Sequence, residues 1–315
     1  MHQKILFVTA LVLAILPLGL TLLWDLERSD YSTLINTYRI FRVLYVTLSG
    51  LIIGGSGAVL QSSLRNPLLD HHILGIGGGA LFAVYVASLL GRPSYYLLML
   101  SGVLGGLAAL AMTVTIAEKF GGTVTAYILS GIGVSSLFSG SAMLLSYFLV
   151  SKNPYSVLLL TGSFVIATPE KIYAMLPAAI ISSTVFIALS KPLNTILISD
   201  EYSKQLGYNP RKIRLFLILV AGISTSIVVS NFGIIGFVGL ASPHLARMIL
   251  RTSDNRLVVP LSMSSSVLIL YATDFLSRKV LVAPIGEVPS GAIASLIGAP
   301  FFLIVMIKNI KRFSM

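Results

Sequence analysis

Apolar runs of about 20 residues, broken by short polar turns, recur from Ile5 to Ile307. Each is long enough to cross ~30 Å of hydrocarbon as an α-helix. Lipid offers the backbone no water to bond with, so a spanning segment must satisfy its own N–H and C=O groups. Runs of this length do so as helices, not as barrel strands. The chain therefore reads as an all-α polytopic membrane protein. Its charge content agrees, at 10% against about 25% for a soluble domain.

Ten spans are expected, at 5–23, 43–62, 73–90, 95–117, 126–150, 172–190, 213–231, 237–250, 257–277 and 291–307. The first has the basic start of a signal peptide but lacks a small-residue cleavage site, so it is expected to be retained. With the N-terminus inside, 14 of the 22 Lys and Arg fall in cytoplasmic turns and the first outer loop, Trp24–Asp30, is net acidic. The excess of cytoplasmic Lys and Arg favours both termini inside. The net charge of +11 has the same origin, because no basic tail is present to hold a nucleic acid.

One stretch stands out within this single domain of residues 1–315. Between Lys191 and Lys212 lies a polar island centred on Ser199–Pro210, S-D-E-Y-S-K-Q-L-G-Y-N-P. It reads either as a short helix held outside the membrane for a soluble partner or as a plain interhelical loop. Asn153–Pro169 is too short to cross and is expected to lie against the outer face or re-enter it. The halves 40–150 and 213–307 each hold four spans and enter in opposite directions, which suggests an inverted repeat. Small residues four apart (Gly50/Gly54, Gly102/Gly106, Ser136/Gly140) predict close helix packing.

Several chemistries are excluded. There is no cysteine for disulfides, thiolate metal sites or nucleophilic catalysis. Gly75–Ala80, G-I-G-G-G-A, mimics a dinucleotide fingerprint but sits in a span without a βαβ unit. No Gly-x-x-x-x-Gly-Lys-Ser/Thr sequence occurs, so the chain lacks a P-loop for ATP. Asp70, His71 and His72 are consecutive, and neighbouring helical side chains diverge too far for a good metal site. Ser242 and His244 flank Pro243 with no orienting acid nearby, which defeats a hydrolase reading. Asp274 and Arg278, four apart, are within pairing reach on one helix face. Arg39 and Arg42 share a face at a helix start, where the dipole disfavours cations, and no acid follows within a turn. They read as unpaired guanidiniums for an acidic partner or as anchors on lipid phosphate.

Further motifs carry a family resemblance. R-I-F-R at Arg39–Arg42, G-A-V-L-Q at Gly57–Gln61, R-N-P-L at Arg65–Leu68 and Leu74-Gly75 are followed by K-Q-L-G at Lys204–Gly207. Then come I-G-F-V-G-L at Ile235–Leu240, P-H-L-A-R at Pro243–Arg247, D-F-L-S-R at Asp274–Arg278, and E-V-P-S-G with I-G-A-P between Glu287 and Pro300. In this order they resemble the FecCD-type permeases of ABC importers for iron–siderophore complexes, haem and vitamin B12. The chain departs from the family's usual pattern at His71, at Ser242 and in R-I-F-R, which lacks a proline.

The resemblance implies the type II importer fold with ten helices per subunit, in a bacterial plasma (inner) membrane. It also implies a second permease, identical or paralogous, two cytoplasmic ATPases that bind ATP and Mg²⁺, and an external binding protein. No cofactor or metal is expected on this chain, and no enzymatic activity of its own. Carried over by position, Ser199, Asp200, Glu201, Tyr202, Ser203, Lys204, Gln205, Leu206 and Gly207 resemble the ATPase-coupling segment. Arg39, Arg42 and Arg278 match the arginines that receive the binding protein, while Arg278 also competes for the Asp274 pair. Thr123, Val124 and Thr125 resemble the inner gate, and the fifth and tenth spans the pathway lining. A ferric siderophore is the expected cargo, with haem or a corrinoid next. An ion-driven secondary transporter is the reading from another class, weakened by the lack of a midplane acid.

Overall fold

The computed structural model describes residues 33–91, 93–151, 156–283 and 286–313. The expected first span, 5–23, lies outside the described residues. Helices dominate the rest: α1 (Thr33–Ser63), α2 (Ile76–Leu89), α3 (Tyr95–Lys119), α4 (Val124–Leu149), α5 (Ser156–Thr161), α6 (Ile172–Ala188) and α7 (Ser190–Ile198). They continue with α8 (Asp200–Gln205), α9 (Pro210–Phe232), α10 (Val238–Leu250), α11 (Asn255–Lys279) and α12 (Ser290–Phe313). Strands β1 (Val282–Ala283) and β2 (Gly286–Glu287) make a small antiparallel hairpin before α12.

Among the described residues, six helical segments are long and apolar enough to cross a bilayer: Tyr38–Ser63, Tyr95–Lys119, Val124–Leu149, Pro169–Ala188, Pro210–Phe232 and Asn255–Lys279. The expected span 73–90 is shorter as a helix, and 237–250 forms a helix of nearly the expected, short length. At 1.5 Å per residue, α2 and α10 measure only about 21 and 20 Å. Each is completed by a non-helical stretch, 64–75 and 233–237, and each begins after a left-handed residue, Gly75 at φ 82° and Phe237 at φ 65°. Such backbone is tolerated at membrane depth only where protein supplies its hydrogen bonds. Here Asp70 Oδ1 accepts from His72 N and Ile73 N, Thr113 Oγ1 donates to Leu74 O, and Ser135 Oγ donates to His72 O.

These two short helices occupy matching places in the inverted repeat. In the first half α2 packs on α3 and α4, and in the second α10 packs on α11 and α12. Helix α1 crosses over to α10 and α11, just as α9 crosses to α2 and α3. The glycines mark these crossings. A Cβ on Gly50 would stand 2.7 Å from Val267 Cα, and one on Gly54 or Gly57 would strike the carbonyl of Ser262 or Gly239. Gly102 and Gly106 admit Ser230 and Ser226 of α9 in the same way. Lipid does not drive helices together by apolar burial, so close backbone approach supplies the dispersion contact. The Ser136/Gly140 pair is different: both are exposed, and nothing lies within 4 Å of a Cβ on Gly140.

The centre of the bundle is therefore α1 and α11. Their most apolar stretches are 89% and 72% buried, whereas those of α3, α4 and α6 are 28% buried and turn large apolar side chains outward. The half-apolar segment from Ser156 to Thr168 threads back among the helix ends. Ser163 N donates to Phe232 O, Ile234 N to Leu159 O, Gly291 N to Gly162 O, and the Tyr45 hydroxyl to Thr168 O. It is held by the bundle's own helix ends.

Candidate functional site

At one end of the bundle, α8 stands on the surface as a separate short helix. Ser199 caps it by accepting from Tyr202 N at 3.0 Å, and Asp200 and Glu201 complement the dipole in its first turn. Gly207, at φ 83°, terminates it: Gly207 N donates to Lys204 O and Tyr208 N to Ser203 O. A left-handed residue at this position is the usual helix stop, and glycine adopts it without strain. Asn209 then caps α9 by accepting from Lys212 N, with Pro210 as its first residue.

One carboxylate fixes α8 to the bundle. Asp200 Oδ1 pairs with Arg65 Nη2, and with Arg214 Nη2 at 2.8 Å. Arg65 also donates from Nε to Ile196 O, and Arg214 from Nε to Ser63 O. Asp200 thereby ties α8 to the end of α1 and the start of α9, one element from each half. Ser203 is buried and accepts from Thr195 Oγ1 at 3.0 Å. The opposite face is open, with Tyr202 and Leu206 exposed beside Glu201, Lys204 and Gln205, and Ile198 at the end of α7 is exposed as well.

A second tie at this end was not foreseen from sequence. Asn194 of α7 donates from Nδ2 to Asp254 Oδ1 at 2.6 Å and accepts at Oδ1 from Asn255 N and Nδ2. Ser62 Oγ reaches Asn255 Oδ1 at 2.7 Å. Asp254 caps α11 and receives the Arg256 guanidinium through Nε and Nη2. That hydrogen-bonded guanidinium holds the Asp254 carboxyl at about 2, below the ordinary carboxylate range. The sequence T-S-D-N-R does carry the capping signal at Asp254, but nothing in it points to Asn194, 60 residues earlier.

At the opposite end the structure revises one reading. Arg42 is not an unpaired surface guanidinium, because it is 3% exposed and clamped between two acids. Its Nη2 lies 2.9 Å from Asp274 Oδ1 and 2.6 Å from Glu287 Oε2, and Nε reaches both Asp274 oxygens. The partners come from α11 and the β-hairpin, more than 230 residues away, so a search within one turn could not find them. Arg278 Nε also stands 3.0 Å from Asp274 Oδ2, as an ion pair without an aligned hydrogen bond. Ser290 Oγ adds a bond of 3.1 Å to Asp274 Oδ1. Arg39, one turn before Arg42, is half-buried between the exposed Tyr38 and Ile40.

Thr123 caps α4 by accepting from Ala126 N at 3.2 Å, after Gly121 and Gly122 turn the chain at positive φ. Thr123, Val124 and Thr125 are all exposed. Thr123 and Thr125 lie at the mouth of a groove of about 610 Å³ between α3 and α4, walled by Met112, Phe120, Leu129 and Leu137. His71, in the stretch before α2, is fully buried against Gly239 of α10 and His72 is half-buried, and among the described residues no three potential metal ligands converge. His244 bonds through Nδ1 to Leu240 O at 2.9 Å, next to the helix proline Pro243.

A bundle of two inverted four-helix halves, with one short helix standing clear at the join, can be compared with known proteins. The sequence profile of the FecCD transport family matches residues 4–308. The chain belongs to that family. It is 32% identical to the molybdate import permease MolB of Haemophilus influenzae, covering 87% of this chain and 80% of MolB. It is 29% identical to the Fe(3+)-citrate import permease YfmE of Bacillus subtilis, covering 96% of this chain and 93% of YfmE. A solved ABC transporter assigned to the metal-chelate type, in an inward-facing conformation, superposes with a TM-score of 0.82 at 28% identity. That match covers 97% of this chain and 99% of the other. The chain is thus a multi-pass membrane protein with the type II ABC importer permease fold.

Proposed function

We propose that this chain is the membrane-spanning subunit of an ABC importer, with α8 as the element that receives the force of ATP hydrolysis. The observation that carries this is the construction of α8. It is capped at both ends, tied through Asp200 to both halves of the repeat, and presents Tyr202 and Leu206 to a partner, with Ile198 of α7 exposed beside it. With no P-loop in the chain, ATP and Mg²⁺ belong to that partner, a cytoplasmic ATPase. The distribution of Lys and Arg supports putting the α8 end and both termini in the cytoplasm. The Arg42 end then faces outward, toward a binding protein.

Docking there works by exchange. An acidic side chain of the binding protein gains Arg42 by displacing Glu287, the more exposed of its two acids at 32% against 2% for Asp274. Arg39 and Arg278 flank that contact. The exposed face of α4, with its groove and the uncovered Gly133 and Gly140, suits a second permease subunit across a shared pathway. Thr123, Val124 and Thr125 would close the inner mouth.

The cargo is a metal chelate, a ferric siderophore. The groove wall is apolar with hydroxyls from Thr123, Thr125 and Ser130, and offers no cation to a bare oxyanion and no carboxylate to a bare metal. The deciding experiment purifies the chain with its co-expressed genomic neighbours. An ATPase and a binding protein should copurify, and reconstituted vesicles should take up a ferric siderophore only with ATP. Uptake of haem, a corrinoid or molybdate in its place would move the cargo and keep the class. Uptake driven by an ion gradient without ATP would defeat both.

A further inference from the structure

Lys171, which the transport reading does not use, is buried to 7% exposure at the end of the bundle remote from α8. Its ammonium donates to Asn231 O at 2.7 Å and stands 4.7 Å from the centre of the Phe232 ring. The carbonyl belongs to the last turn of α9, whose dipole offsets part of the charge. Among the described residues no carboxylate lies within ion-pair distance, and the adjacent Glu170 is exposed. An ammonium has three donors, and one is committed here to a protein oxygen. A buried charge normally carries a partner, so this one is under-compensated.

The same amine lines a cavity of about 750 Å³. Its walls are of two kinds. Ser88, Ser230, Asn231 and Lys171 are polar, and Leu98, Leu149 and Leu159 are apolar. The cavity borders the part of α3 that exposes Tyr96, Leu97 and Leu100, an apolar surface of the kind that meets lipid chains.

We propose that this cavity binds a phosphate-bearing anion, with the phosphate on Lys171 and, where the anion is a phospholipid, its first acyl carbons on Leu98, Leu149 and Leu159. A charge-assisted hydrogen bond in a desolvated pocket is worth about 1.5–3 kcal/mol, or about tenfold to a hundredfold in affinity. Loss of the ammonium should therefore weaken a bound phosphate about tenfold or more, and the anionic lipid should be preferred because phosphatidylcholine brings a choline cation against that ammonium.

The test uses the full chain in nanodiscs of phosphatidylglycerol diluted into phosphatidylcholine, with retained lipid read by native mass spectrometry. The wild type should keep one phosphatidylglycerol through detergent exchange, and Lys171→Gln should lose the preference. Ser88→Leu keeps the ammonium but fills the cavity from α2, and should lose the lipid too, which covers the case of Lys171→Gln failing to fold. A second arm titrates inorganic phosphate without anionic lipid. Lys171-dependent thermal protection by phosphate alone also supports the site and identifies the free ion as its source. Equal retention of both lipids by wild type and Ser88→Leu, with no protection by phosphate, overturns the proposal.

Discussion

The two ends of this bundle are built on the same motif, one aspartate between two arginines, in opposite surroundings. Asp200 sits between Arg65 and Arg214 with side chains 31%, 36% and 21% exposed. Asp274 sits between Arg42 and Arg278 with side chains 2%, 4% and 10% exposed. Water screens the first, so its net stabilisation falls to the surface range of about 0–1 kcal/mol. The second has lost its hydration and each charge depends on the others. Breaking such a pair by removing one partner costs about 3–5 kcal/mol, although a well-packed apolar replacement of the whole set can cost little. The α8 end is therefore a joint that can rearrange at small cost, whereas the Arg42 end is a lock that opens only when another acid replaces the one withdrawn.

The sharpest way to break this contrast is Asp274→Ala. It leaves two buried guanidiniums around one remaining acid, and should lower stability by about 3–5 kcal/mol, read as a large drop in thermal midpoint in detergent. Replacing the set as a whole, with Arg42→Met, Asp274→Leu and Arg278→Met together, should recover much of it. A loss at Asp274 no greater than that at Asp200 would erase the distinction between lock and joint.

Next in size is Gly207→Val. Nothing lies within 4 Å of a Cβ at Gly207, so the effect is purely a matter of backbone conformation at φ 83°. Forcing an L-residue into the left-handed region costs about 1–2 kcal/mol. The bundle should remain folded while the end of α8 shifts, and ATP hydrolysis by the partner should continue with reduced uptake. Unchanged uptake would remove Gly207 from coupling. Asp200→Asn should cost less still, about 1 kcal/mol at most. Its expected signature is functional: coupling falls and its salt dependence weakens, with the thermal midpoint nearly unmoved.

Much of this arrangement was legible in sequence because lipid imposes it. The spans follow from run length, the crossings from Gly50/Gly54 and Gly102/Gly106, and α8 from the polar stretch closed by Gly207. What could not be read is pairing across distance. Arg42 looked unpaired because its acids arrive from α11 and the hairpin, and a helix-based search sees only i+3 and i+4 neighbours. The same limit hid Asn194 against Asp254. The span at 73–90 starts as a helix only at Ile76, because hydropathy registers apolar character but not the left-handed turn at Gly75. Ser136/Gly140 had the right spacing for a helix contact, but spacing alone cannot tell which face of α4 is covered within the chain.

The smallest effect concerns the second tie at the α8 end, where the joint should have one pH-sensitive fastening. The Asp254 carboxyl titrates at about 2 in the folded chain, chiefly because the Arg256 guanidinium bonds its charged form, with Asn194 and the Arg256 amide adding to this. In an unfolded chain an aspartate titrates near ~3.9. The folded value is the lower, so the folded state binds fewer protons between these limits. The stabilisation is then complete above about pH 4 and is lost as pH falls toward about 2. Asp254→Asn removes this linkage while keeping a side-chain oxygen to cap α11. The thermal midpoint of the wild type should therefore fall more steeply than that of the variant between about pH 4 and pH 2, and the two should run parallel above that window. Parallel curves throughout would mean that the joint at α7 and α11 is held by the asparagines alone, and that Asp254 adds only a cap.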